Sequence, residues 1–285
     1  MTNKFVFSGH ESFSCKSLWL KKGYDFLIHG YNFNSPDAVV QLGVGKNMVS
    51  SIRFWMRAFM LTSKEELTPI AHYLFNDQDG ADPYIEDLGT LWLLHFLLVT
   101  GGEATIYNWV FLRLQKERKE FTRVQVVNAV RRYMIEAERV KSFNENTTKK
   151  DVAVLLQNYV DPQNSHSNED YTALLLDLNL IRTSDGGKSY QFNIEGKRLL
   201  PLDIFIYAVI KWKGENLSVD FSSIQDMGLV FCLSDMEMIS LLQQASETYP
   251  ELMHYSDVAG VRQLQFLKDC KAKYFLDNYY AHESI

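Results

Sequence analysis

Ser35–Leu61, SPDAVVQLGVGKNMVSSIRFWMRAFML, decides how the chain reads. Ser35 stands where a helix N-cap belongs, Pro36 fits the first helical position, and Val39, Val40 and Leu42 supply apolar positions for a first helix. Gly43 follows where a tight turn between two helices needs a residue free to take positive φ. Beyond it, Val44, Met48, Val49, Ile52, Trp55 and Met56 recur at helical spacing and predict one buried face. Lys46, Asn47, Ser50, Ser51 and Arg53 would then form the other face. Cations and short polar groups of this kind reach phosphates and base edges. The pattern predicts a helix-turn-helix over 35–61 whose second helix enters the major groove, with those five residues as DNA contacts. An ordinary helical hairpin with Gly43 as a C-cap is the competing reading.

The rest of the chain sets bounds on that choice. At 285 residues it is long enough for two domains, and 46% hydrophobic with 13% aromatic residues excludes a disordered chain. The longest apolar run, Leu91–Val99, contains His95 and falls short of the roughly 20 residues that span a bilayer. The first residues, MTNKFVFSGHESF, lack the basic-then-apolar pattern of a signal peptide. Cys15, Cys232 and Cys270 are odd in number and not at zinc-ligand spacing. These features predict a reduced cytoplasmic protein with no membrane partner, disulfide or structural zinc. The net charge of −6 excludes a protein that coats nucleic acid over its whole surface. It is unevenly spread: residues 1–60 carry 7 Lys/Arg against 3 Asp/Glu and residues 101–150 carry 11 against 6, whereas residues 201–285 carry 6 against 12. A phosphate-facing surface therefore fits the two basic segments, and plain solvation explains the same charges equally well.

Periodicity predicts helices over Ser17–Ile28, Leu67–Phe75, Gly89–Thr100, Asn108–Gln115 and Thr122–Phe143, forming an N-terminal helical domain over 1–145. The polar run FNENTTKK marks the boundary, and a C-terminal helical domain covers 146–285. In it, helices at Lys149–Tyr159 and Glu169–Leu178 precede LIRTSDGGKSYQFNIEG, whose Asp-Gly-Gly signals a hairpin. Helix, helix, hairpin is the order of a winged-helix-like unit, which serves DNA or protein partners. Pro201–Trp212, Ser234–Thr248 (with Ser234 and Glu237 as a capping box) and Val261–Tyr280 complete a mainly α fold.

Two clusters carry chemistry. In Ser8-Gly9-His10-Glu11 a histidine beside a carboxylate offers a general base or two metal ligands, unless Ser8 and Glu11 are a capping box opening the first helix. In Asp82-Pro83-Tyr84-Ile85-Glu86-Asp87, three acids offer Mg²⁺ ligands or charges placed at a helix N-terminus. No phosphate-binding glycine loop, dinucleotide fingerprint or standard nuclease signature is present.

FSGHESF, LKKGYDF, LGVGKNMVSSIRFW, DPYIEDLGTLWLLH and YSDVAGVRQL, spread over most of the chain, resemble the signature blocks of the domain-of-unknown-function 4007 family. The resemblance implies a place beside sulfur-transfer and ATPase proteins in DNA phosphorothioation and anti-phage defence. One branch is similar to the DNA-nicking component of a single-stranded phosphorothioation system. It adds weight to His10, Glu11, Lys21, Lys22, Asp25, Lys46, Asn47, Arg53, Asp82, Glu86 and Asp87. Two functions follow. The first is a DNA-binding nickase, with His10, Glu11 and Asp82 catalytic and Mg²⁺ or Mn²⁺ held by Glu11, Asp82, Glu86 and Asp87. The second is a non-catalytic DNA-binding adaptor that positions sulfur-transfer partners on target DNA.

Overall fold

The computed structural model describes residues 5–162, 173–194 and 199–283. They divide into two compact units that separate between Asn193 and Ile194, whereas the sequence placed a boundary after residue 145. The reason is local: Asn144 caps a helix by accepting from the Thr147 N–H at 3.0 Å, so the polar run starts an element of the first unit.

In the first unit, α1 (Trp19–Ile28), α2 (Ala38–Leu42) and α3 (Lys46–Ala58) follow one another. A minimal hairpin, β1 (Thr62–Ser63) with β2 (Glu66–Leu67), leads into α4 (Pro69–Phe75). Next, α5 (Leu88–Thr100) is buried on all sides, as its unbroken apolar run requires. α6 (Thr105–Trp109) passes through a π-helical turn, Val110–Leu114, into α7 (Gln115–Glu117). β3 (Glu120–Phe121) precedes α8 (Arg123–Glu136), which opens on a capping box of Thr122 and Gln125. α9 (Glu145–Tyr159) and the hairpin β4 (Ile181–Ser184) and β5 (Ser189–Phe192) complete the unit. β3 joins that hairpin to make an antiparallel sheet in the order β3-β5-β4.

The second unit contains α10 (Leu202–Lys213), β6 (Ser218–Asp220), α11 (Phe221–Gly228) and α12 (Asp235–Thr248), followed by β7 (Met253–Val258), β8 (Val261–Phe266) and α13 (Ala272–Glu283). The expected box of Ser234 and Glu237 caps α12.

Helix makes up 54% of the described residues, but the small antiparallel sheets make the fold mixed α/β rather than mainly α. The helical expectation over Val261–Tyr280 fails over its first half, since helix begins only at Ala272. Val261–Phe266 pairs with β7 across a turn in which Ala259 and Gly260 both have positive φ, at 52° and 81°. The expected winged-helix order is not reproduced as such. Leu176–Leu178 is a 3₁₀ turn, the start of the Glu169–Leu178 helix lies outside the described residues, and the hairpin carries a third strand from before α8.

Within 35–61 the turn is as expected and the first helix is not. Gly43 takes the left-handed conformation, φ 63° and ψ 33°, between α2 and α3. Ser35 caps nothing, since its hydroxyl donates to Asp37 and α2 starts only at Ala38. Val40 is 78% exposed, so this five-residue helix buries Ala38 and Leu42 rather than a full stripe.

Before α1 the chain is irregular. Ser8, Gly9, Glu11 and Ser12 all have positive φ, and Gly9, at 105°, backs onto the Phe54 ring. A methyl group there would lie 2.7 Å from Phe54 Cδ2, whereas one on Gly43 would meet open space. Gly9→Ala is expected to destabilise the fold by about 2 kcal/mol or more and Gly43→Ala by about 1 kcal/mol. Urea unfolding checks this, and equal losses would contradict the packing difference.

Candidate nucleic-acid interface

The stretch Phe5–Lys16 has no regular structure to satisfy its backbone, so buried side chains do so instead. Asp151, on α9, accepts from the Ser8 N–H at 3.0 Å and lies 2.7 Å from His10 Nε2. The Ser12 N–H donates to His10 Nδ1 at 3.1 Å. Nδ1 is therefore an acceptor, and Nε2 carries the proton that it donates to Asp151. Asn158, two turns along the same helix, accepts from the Cys15 N–H at 3.1 Å and donates to the Tyr107 hydroxyl at 2.8 Å. Trp55 Nε1 donates to the Phe13 carbonyl, and Val6 is tied to Thr105 through both its N–H and its carbonyl. Asp151 and Asn158 lack any motif. The only signal was two polar residues at the helical spacing of a buried face, which sequence reading passed over.

α3 rests against this segment. Ser51 is fully buried and its hydroxyl donates to the His10 carbonyl at 3.0 Å, so it faces inward and leaves the expected set of DNA contacts. Arg53 is also committed. Its guanidinium reaches both Glu65 carboxylate oxygens at 3.0–3.1 Å and Asn34 at 2.8 Å. Lys46, Asn47 and Ser50 are exposed on the first turns of α3, where no acidic residue occurs. Cationic and polar groups at a helix N-terminus suit phosphate oxygens.

The acidic cluster is built as a turn and a cap. Asp82, 7% exposed, accepts from the Glu86 and Asp87 N–H groups at 2.9 and 3.0 Å. Asp87 caps α5 by accepting from the Thr90 N–H at 3.1 Å. Ser8 and Glu11 form no capping box, because no helix starts between them. Glu11 and Glu86 are exposed, and among the described residues no three His, Cys, Asp or Glu side chains gather as a metal would require. His95, which interrupts the apolar run of α5, is a core residue bonded to the Tyr159 hydroxyl at 2.7 Å.

Lys21 is buried beside Asp25 and lies 2.6 Å from Asp77. Burial acts to lower its pKa, but hydrogen bonds to both carboxylates outweigh that and hold the ammonium above the ordinary lysine value. Lys22 donates to the Leu42 carbonyl at 3.1 Å, tying α1 to the end of α2.

Removing the acceptor beneath the loop should be costly. Asp151→Ala strands His10 and the Ser8 N–H and is expected to cost about 3 kcal/mol, with Asp151→Asn costing less because one acceptor remains. Urea unfolding measures both, and a loss under about 0.5 kcal/mol for the alanine variant would show that the pair does not hold the loop.

No functionally curated protein matches the chain. Two solved structures do. "Magnesium ion-bound SspB crystal structure" is 27% identical with a TM-score of 0.85, and "SspB crystal structure" is 26% identical with a TM-score of 0.83. Each match covers 98% of this chain and 88% of the other. The family model described as "Protein of unknown function (DUF4007)" matches residues 7–280, and the chain therefore belongs to the DUF4007 family.

Proposed function

We propose that this protein is a DNA-binding component of a phosphorothioation system and grips DNA through the first turns of α3. The observation that carries this reading is the exposed Lys46, Asn47 and Ser50 at an acid-free helix N-terminus. The near-complete structural likeness to SspB supports it, together with the resemblance to the phosphorothioation branch of the family. Sulfur-transfer and ATPase proteins are then the partners, and the DNA backbone is the shared substrate.

Within that role, nicking and pure positioning remain distinct. The magnesium named for one SspB structure favours a metal-assisted step. Here, however, Asp82 and Asp87 are spent on backbone N–H groups, and both His10 nitrogens are bonded, Nδ1 to the Ser12 amide and Nε2 to Asp151 on α9. Among the described residues no three His, Cys, Asp or Glu side chains converge. Mg²⁺ or Mn²⁺ would have to arrive largely through substrate phosphates. That geometry favours the adaptor.

Lys46→Ala is expected to weaken duplex binding across sequences and to lower the slope of log K against log salt by about 1. Arg53→Ala should change it little, because Glu65 already holds the guanidinium. Binding of Lys46→Ala equal to wild type at about 150 mM salt would remove α3 as the contact surface. Supercoiled plasmid incubated with the pure protein and Mg²⁺ or Mn²⁺ separates the two roles. Open circles establish the nickase, and an unchanged plasmid bound tightly establishes the adaptor.

A further inference from the structure

A cleft of about 560 Å³ opens beside α3, within the first unit. Its walls come from the Ser12–Lys16 stretch, from Met48 on α3, from the end of α9, and from the β4–β5 hairpin. The volume is that of an organic-ligand pocket. Phe13, Met48 and Leu156 give apolar walls, while, among the described residues of the lining, Lys16 and Arg123 bring positive charge against the one carboxylate of Asp161. Arg123 is pre-positioned: its Nε donates to the Tyr190 hydroxyl at 3.0 Å and its guanidinium lies 5.8 Å from that ring's centre. This bond uses Nε alone, so the terminal nitrogens stay available to an anion. At the hairpin tip Gly186 and Gly187, with φ of 62° and 88°, present bare backbone to the same space.

We infer that this cleft takes an unstacked nucleotide of the DNA strand, with the base against the apolar wall and its phosphate on Lys16 and Arg123. The inference rests on the DNA-binding reading and extends it. Met48 lines the cleft from the same first turns of α3 that carry Lys46, about 200° round the helix from it, so a strand gripped at Lys46 reaches the mouth by crossing the helix N-terminus. A stacked duplex cannot enter a recess of this size, whereas a single-stranded or extruded nucleotide offers both the flat apolar face and the charge that the walls require. A free anion would use the cations and leave the apolar wall empty.

Gln157 is exposed on the cleft wall, so Gln157→Trp fills the space without touching the core. Fluorescence anisotropy with a labelled oligodeoxythymidine and with a mixed-sequence duplex tests the inference, folding being confirmed by circular dichroism. Gln157→Trp is expected to weaken oligodeoxythymidine binding about tenfold and leave duplex binding within about twofold, with Lys16→Ala weakening the single strand in the same direction. Unchanged single-strand affinity in Gln157→Trp, or equal losses on both probes, overturns it. A wild-type protein that binds the duplex but not the single strand also overturns the cleft and leaves the α3 reading intact. One that binds the single strand, with the Gln157→Trp loss, but no duplex supports the cleft and removes the duplex grip.

Discussion

The first unit depends on one buried contact, the bond between His10 on the irregular N-terminal stretch and Asp151 on α9. Non-glycine residues at positive φ each cost about 1 kcal/mol or more, and this stretch has three of them within five positions. Such a backbone persists only when its surroundings over-determine it. Here the carboxylate of Asp151 binds both the Ser8 amide and the imidazole, and the imidazole in turn binds the Ser12 amide. The strained turn is thereby closed by two charge-assisted hydrogen bonds to Asp151 and one neutral bond to the imidazole.

What faces solvent follows from those bonds. The His10 carbonyl captures the Ser51 hydroxyl, and the Phe13 carbonyl captures the Trp55 indole, which sets the rotation of α3. With Ser51 and Trp55 turned inward, Lys46, Asn47 and Ser50 are turned outward. The continuing stretch, Ser12 to Lys16, then forms one wall of the cleft that Met48 and the β4–β5 hairpin complete. The exposed helix start and the recess beside it are two consequences of the same internal bonds.

Short-range features were legible in the sequence. Asp87 and Ser234 with Glu237 cap helices as their spacing indicates, because a cap is decided within three residues, although Ser35 shows the same pattern and caps none. The left-handed Gly43 and the hairpin around Asp185–Gly187 were legible for the same reason. Partners distant in sequence were not: His10 and Asp151 stand 141 residues apart with no shared motif. Ser50 and Ser51 show the limit of periodicity. They diverge by about 100° on a helix, and only the His10 carbonyl, invisible to spacing, decides which is buried. The strand Val261–Phe266 carries a weak strand signal, because only Leu264–Phe266 alternate and the aromatic helix follows closely.

Amide hydrogen exchange, followed with and without DNA, tests most directly the claim that the pinned N-terminal stretch builds a DNA-facing surface. Slowed exchange over residues 12–16, 46–50 and 183–190 on adding DNA is the result that this structure predicts. Slowed exchange confined to residues 199–283, with those three stretches unchanged, would contradict it.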